Sequence, residues 1–593
     1  MDTILDKIFE RARGEPDSIA TQYKQSGRWV QVAWREFFGR VEALACALDE
    51  LGLKPGDRVT IQSWTRHEWT EADLAVSMLG AVIVPIYPQL LPEECRYILD
   101  HAGVRFIFCE DRVQADKIGQ IWSKLPRLER AFLFDQSDQS DSKVAPYADL
   151  LRRGEELRPS KTGLIASRLE SLKPDDAMTI VYTSGTTGPP KGAVLACRGF
   201  EFNAEAVDQA LDLKAGQRYI AYLPLAHVYE RFCQYACLSR GLVYSFAESI
   251  EKLPQSLREI RPYIMAGVPR VYEKAYASIL EKVDDGPAWK KNLARWAFGV
   301  GRRVFDAGQA GRSPGLGLRL AHLVADRLVF SKIRQGLGGC LKYAVVAAAP
   351  VSPQLCAFFN SLGVVMLEGW GMTETTAPAS INPADRIRVG TAGPPFEGVA
   401  LKLDSDAEIL VKGPNVLLEY YKNENATRES FTADGFFRTG DLGELDEAGY
   451  LKIVGRKKDI IINSYGKNIA ARNVEDHFME DPLFSGCVVF GDNQKYLTAV
   501  LSLAAEFLMS WAQKIGVEER DYRGLVKTTE VSDMVLVQVA RINQKLPNYE
   551  QVRNFVLADH EFSVETGEIT PTLKIKRAEV IKRYRKELQA LYG

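Results

Sequence analysis

The chain has almost no net charge: across 593 residues, 75 lysines and arginines against 77 acidic residues leave −2. With no global field to draw it to nucleic acid, no nucleic-acid partner is expected, and any basic site has to be local. Histidine is scarce, at six, and the nine cysteines are scattered without a CxxC pair. Cys233 and Cys237 come nearest to a metal-ligand spacing, but His227 is the one histidine near them, so a zinc site is not indicated. Reduced thiols in a cytoplasmic setting are the expectation. Long apolar runs are missing too. The most apolar stretch, 74–91, is broken by Pro85 and Pro88 and reads as a buried helix running into a strand rather than a membrane span. The opening MDTILDKIFERARGEPDS is charged throughout and lacks the apolar centre of a signal peptide. No fixed-period repeat and no low-complexity tract is present.

With 46% hydrophobic and 26% charged residues, the chain can bury several cores and exceeds one domain in length. Its first third alternates in type: helical spacing over 34–51, a strand at 58–63, a helix at 71–79 and a strand at 82–86. Such alternation predicts an α/β fold of layered, mostly parallel sheets flanked by helices. Two features break the rhythm. Residues 286–342 hold eleven lysines and arginines against Asp306 and Asp326, with Trp289, Trp296, Phe298, Phe305 and Phe330 interleaved. This is either a solvated basic helical face or a surface for anionic lipid or a phosphorylated cosubstrate. GRKKD at 455–459 is a charged, hinge-like segment, and the residues beyond it suffice for a separate small domain.

The richest local signal is YTSGTTGPPKG at 182–192, set between two short apolar strands. Glycines let backbone N–H groups approach an anion, because no Cβ stands in the way. Thr183, Ser184, Thr186 and Thr187 add hydroxyls, Gly185 and Gly188 free the backbone, Lys191 adds a mobile positive charge, and Pro189 and Pro190 stiffen the exit. Gripping the terminal phosphates of a nucleotide suits this loop, although a plain hairpin turn is the other reading of the loop alone. It is not a Walker loop.

The loop matches the phosphate-loop signature of the adenylate-forming superfamily at all its fixed positions. LPLAHVYER (223–231), EGWGMTE (368–374), FFRTGD (436–441), GRKKD (455–459) and TPTLKIKR (570–577) match further motifs in the superfamily's order. The chain thus resembles this superfamily over nearly its whole length. LPLAHVYER, VPRVYEKAY (268–276), INQKLPNYEQVRNF (542–555) and the extra stretch 286–342 resemble its long-chain fatty acyl-CoA synthetases in particular.

The resemblance implies ATP, Mg²⁺ and CoA as cofactor and cosubstrates. It implies an N-terminal AMP-binding and acyl-pocket domain at 1–457, with a small β-barrel-like subdomain, and a mobile α+β domain at 458–593. It implies that Asp441 accepts the ribose hydroxyls, where a turn cap is the bland role. Glu374 and Thr186 would hold magnesium, Thr373 would meet the α-phosphate, and Arg456 the ribose or phosphate. Glu368, Gly369, Trp370, Gly371 and Met372, with Ala348, Ala349 and Pro350, would form the adenine surface, where Trp370 by itself reads as core. Lys574 would stabilise the charge built on the α-phosphate. His227, otherwise an ordinary core histidine, would close the acyl pocket beside the carboxylate. Lys458 would be the hinge.

Departures from the superfamily pattern are Val346-Ala347-Ala348-Ala349-Pro350 where SGGAP is frequent, which predicts a slightly altered adenine turn because alanine takes positive φ less readily than glycine, Leu573 before the lysine, and Ala471 where proline is frequent. Arg231 occupies the position where some members place a gating aromatic, so gating by this side chain is not expected. The implied reaction turns a fatty acid into acyl-AMP and then acyl-CoA. The alternatives are another hydrophobic carboxylic acid, an acyl-AMP ligase loading a carrier protein, and a non-catalytic nucleotide or lipid sensor. A homodimer and peripheral contact with the inner face of the membrane through 286–342 are compatible with the resemblance.

Overall fold

The computed structural model describes residues 3–135, 143–183, 189–349, 351–465, 467–517, 519, 521–570 and 574–592. Among these, two eight-stranded sheets form the body of the molecule. The first runs, in spatial order, Glu419–Tyr420, Lys191–Ala196, Ala177–Thr183, Val82–Ile86, Arg58–Gln62, Phe106–Cys109, Arg130–Leu133 and Val144–Pro146. Its central pairings are parallel, and only the two at the Lys191–Ala196 edge are antiparallel. The second sheet is likewise parallel through Arg218–Ala221, Val243–Phe246, Ile264–Gly267, Tyr343–Val346 and Val365–Met372. Strands buried on both faces read as unbroken apolar runs, which is why Val82–Ile86 is wholly buried.

Helices cover these sheets. Trp34–Glu50 and His67–Met78 are buried along most of their length, and Pro85 sits within the following strand. The expected helix–strand sequence at 34–86 is therefore present. A four-stranded antiparallel sheet, Ala400–Leu403, Glu408–Lys412, Phe437–Leu445 and Leu451–Arg456, stands where the barrel-like subdomain is expected. No helix among the described residues is long and apolar enough to cross a membrane.

After Arg456 a single turn, Lys457–Asp459, leads to a two-stranded and a three-stranded sheet packed with the helices Ala471–Met479 and Thr529–Asn543. Val474, Phe478, Leu501 and Val535 form a core here that is separate from that of the large sheets.

Candidate active site

The Ala177–Thr183 and Lys191–Ala196 strands pair antiparallel and bring Thr183 opposite Lys191 at the mouth of a cavity. The tip of this hairpin, with Ser184, Gly185, Thr186, Thr187 and Gly188, lies outside the described residues, as does Pro350. Lys191 holds its ammonium 5.3 Å from the centre of the Tyr420 ring. The Tyr420 hydroxyl donates to Glu374 Oε1 at 2.9 Å. Tyr420 has no motif signal, and only its place beside this hairpin exposes its contacts with Lys191 and Glu374.

Glu368, Gly369, Trp370, Gly371 and Met372 end the Val365–Met372 strand, and Thr373 and Glu374 open the turn after it; all seven line the same cavity. The turn folds back so tightly that a Cβ on Gly371 would lie 1.8 Å from the Ala377 carbonyl oxygen, so glycine is obligatory there. Glu374 is buried, and burial raises its carboxyl pKa while Tyr420 and Arg456 pull it down. A buried carboxylate whose side-chain hydrogen bond comes from a neutral phenol fits a hard divalent cation. Burial also pushes Glu368 up to about 7; its Oε1 accepts from Gly390 N at 3.0 Å and from the Cys356 thiol at 3.5 Å.

Ala348 and Ala349 line the cavity from the end of the neighbouring strand. Ala348 keeps a left-handed φ of +71°, so the backbone holds the glycine-like conformation and carries the strain of a Cβ there.

Asp441 and Arg456 face each other across adjacent strands of the four-stranded sheet. Trp370 Nε1 donates to Asp441 Oδ2 at 2.9 Å. Arg456 Nε lies 2.9 Å from Asp441 Oδ1, an ion-pair distance without hydrogen-bond alignment, so among the described residues Oδ1 is buried with no donor. That acceptor is left for a ligand. Most of the Trp370 indole packs on Ala379, Ala392, Ile409 and Leu451, so the tryptophan braces Asp441 as well as lining the cavity.

The opposite wall brings in the C-terminal residues. Lys574 immediately precedes Ile575, which forms an antiparallel bridge with Ile569, and it lines the cavity with Lys458 and Arg472. Burial, followed by the charge of Arg456, lowers Lys574 to about 8. Burial lowers Lys458 as well. His227 caps the Val228–Arg240 helix, its Nδ1 accepting from Tyr229 N at 3.1 Å, which leaves the proton of a neutral ring on Nε2. Burial and the nearby Lys574 charge take His227 down to about 3, so this ring is neutral at any physiological pH.

Arg231 lies in the interior, not at a gate. It forms a two-pronged ion pair with Asp73, at 2.6 and 3.2 Å, and both side chains are buried. Gln234 and Tyr235 donate to the same carboxylate. The arginine therefore cross-links the Val228–Arg240 helix to His67–Met78.

The cavity encloses 1440 Å³ and does not stop at His227. It follows the Val228–Arg240 helix, lined by Phe232, Cys233, Ala236, Cys237 and Arg240, a stripe at helical spacing. Ala204 and Val207 face it from the preceding helix, Cys197–Ala210, and Leu211 from just beyond the end of that helix. At the far end Arg240 lies 3.3 Å from Asp208, and both are partly exposed. The stripe escapes sequence reasoning because small and apolar residues on a buried helix look the same whether they face a core or a tunnel.

A family model described as AMP-binding enzyme matches residues 8–421, and one described as AMP-binding enzyme C-terminal domain matches 458–593. Long-chain-fatty-acid–CoA ligase FadD15 of Mycobacterium tuberculosis is 33% identical over 598 residues, covering 100% of this chain and 97% of that protein. The peroxisomal long chain acyl-CoA synthetase 6 of Arabidopsis thaliana is 32% identical, covering 93% of this chain and 80% of its own length. Among solved structures, an anthranilate CoA ligase, AuaEII, in complex with anthranoyl-AMP superposes with a TM-score of 0.73 at 20% identity, covering 99% and 98% of the two chains. The adenylation domain of a carboxylate reductase from Mycobacterium chelonae gives 0.75 at 22%, covering 100% and 91%. These two likenesses concern the fold.

Proposed function

Because this chain belongs to the family of AMP-binding enzymes, we propose that it is a long-chain-fatty-acid–CoA ligase. It activates a fatty acid with ATP to acyl-AMP and pyrophosphate, then passes the acyl group to CoA. The observation that carries this reading is the single cavity joining Asp441, Glu374 and Lys574 to the apolar stripe ending at Arg240. From His227 to Arg240 the helix advances about 20 Å at about 1.5 Å per residue. Bonds of about 1.5 Å meeting at about 111° advance an extended hydrocarbon about 1.25 Å per carbon, so that length holds about sixteen carbons. A tunnel of this length suits a long unbranched acid better than an aromatic or cyclic one.

In the first half-reaction a carboxylate oxygen attacks the α-phosphorus of ATP, and the bond to the β-phosphate breaks. Asp441 receives the ribose through Oδ1, which is paired with Arg456 but has no hydrogen-bond donor among the described residues, and Glu368 and the 369–372 backbone face the adenine. Thr183, Lys191 and the hydroxyls of Thr186 and Thr187 hold the phosphates. Glu374 and Thr186 would hold Mg²⁺, which would offset phosphate charge there. Lys574, as an ammonium, meets the negative charge that grows on the α-phosphate, with Thr373 and Arg456 beside it. Neutral His227 offers its Nε2–H at the junction of tunnel and nucleotide site.

In the second half-reaction the CoA thiol attacks the acyl carbon, the bond to the phosphate oxygen breaks, and AMP leaves. The residues from Lys458 onward form a domain that turns about that hinge, withdrawing Lys574 and admitting CoA. The test is ATP–pyrophosphate exchange across straight-chain, aromatic and cyclic acids, with CoA thioester followed in parallel. Exchange should be strongest for acids near sixteen carbons. Preference for an aromatic or cyclic acid over every straight-chain acid would overturn the substrate reading.

A further inference from the structure

The helix Leu316–Ala325, continued through Asp326–Phe330, carries large apolar residues on both its inner and its outer side. Its inner side, with Ala325 and Phe330, packs on Ala297, Val300 and Leu362. Its outer side presents Leu316, Leu320, Leu323, Val324 and Leu328, exposed by 79, 64, 65, 49 and 42%. A helix packed on a globular surface ordinarily turns polar residues outward, and five large apolar residues exposed on one outer face imply a second apolar neighbour. The helix beside it, Ala288–Gln309, adds Trp289 and Trp296, seven residues apart and both exposed.

Charge identifies the neighbour. Arg319 and Arg327 stand among the exposed leucines, and Arg303, Arg312 and Lys332 lie on the flanking segments. None of these five has a carboxylate partner among the described residues. The two acids of the segment are already engaged, Asp306 by Arg302 at 2.8 Å and Asp326 by Arg334 at 2.6 Å. A second copy docking through the same face would set one unopposed cationic surface against another. An anionic bilayer instead offers hydrocarbon for the leucines, an interface for the tryptophans and phosphates for the arginines.

We propose that the Leu316–Leu328 ridge, with Trp289, Trp296 and the surrounding arginines, is a peripheral docking surface for anionic lipid bilayers. The purpose of such docking rests on the fatty-acid reading, since the substrate resides in lipid, but the binding is measured without turnover.

The experiment is flotation of the full chain with vesicles of equal parts phosphatidylglycerol and phosphatidylcholine, and with phosphatidylcholine alone. The unaltered protein should float with the anionic vesicles and be released by high salt. Leu320→Ser/Leu323→Ser should lower the partition coefficient at least about tenfold, with turnover of water-soluble octanoate unchanged. Arg319→Gln/Arg327→Gln should weaken binding to the anionic vesicles only. Equal partitioning of the unaltered protein and both variants overturns the proposal. So does concentration-dependent dimerisation abolished by the leucine variant without vesicle binding, because the face would then belong to a second copy. Vesicle binding by a protein that activates no fatty acid would leave this surface standing and overturn the function.

Discussion

Ala236 is the position from which the acyl tunnel can be shortened. It lies about 13 Å along the helix from His227, beside about the eleventh carbon of a bound chain. Its side chain faces the cavity, and the positions around it are filled by Phe232, Cys233 and Arg240. In Ala236→Phe the ring leans toward the helix N-terminus and fills the bore near carbon ten. About five methylenes of hexadecanoate then lose their burial, at about 0.8 kcal/mol each, or about 4 kcal/mol in all. That corresponds to about a thousandfold loss in kcat/KM for hexadecanoate, while octanoate, which ends short of the ring, keeps its value. The assay is thioester formation against chain length in both proteins, with the octanoate rate reporting an intact fold. Hexadecanoate turnover within a factor of three of the unaltered enzyme would refute the placement of the acyl chain along this helix.

Lys574→Ala should abolish pyrophosphate release from ATP and fatty acid yet spare thioester formation from supplied acyl-AMP; equal loss of both would refute the divided role. With Lys574 lowered to about 8, its ammonium is present below that pH and lost above it. The kcat/KM for adenylation should therefore fall as pH rises through about 8, and Lys574→Arg should remove that limb from the pH profile. Glu374→Ala should weaken magnesium dependence and adenylation together, as read by exchange at graded Mg²⁺, and unchanged turnover would take it out of the site. Lys458→Pro should leave acyl-AMP formation intact and stop CoA transfer, and normal thioester output would count against rotation. Arg231→Ala strands the buried Asp73 carboxylate and should cost about 3–5 kcal/mol, read as a fall in the urea midpoint of the N-terminal region.

The sequence made legible what is carried by residue type at fixed spacing. Alternating apolar periodicity located 34–51, 58–63 and 82–86 as elements, because helical and strand burial have different periods. The motifs located Asp441, Arg456, Glu368, Glu374 and Lys574, which the fold gathers around one cavity from segments far apart in the chain. Interactions set by three-dimensional neighbours were not legible. Nothing in the string 227–240 separates a tunnel stripe from a core stripe, and nothing marks Tyr420 as the donor to Glu374. The structural role of Arg231 was not legible because its partner, Asp73, lies on another helix. The basic charge of 286–342 left a solvated face and a lipid or cosubstrate surface both open, and only the exposure of the leucines at 316–328 shows an apolar face without a neighbour.

The central claim is that a carboxylate is activated as its adenylate in the cleft shared by Asp441 and Lys574. It is tested most directly by a single turnover of ATP labelled at the α-phosphate with hexadecanoate, first without CoA and then with CoA added. The account predicts that labelled hexadecanoyl-AMP accumulates in proportion to enzyme, and that adding CoA converts it to thioester and free AMP. Formation of labelled ADP, or thioester appearing with no labelled adenylate before it, would contradict the account.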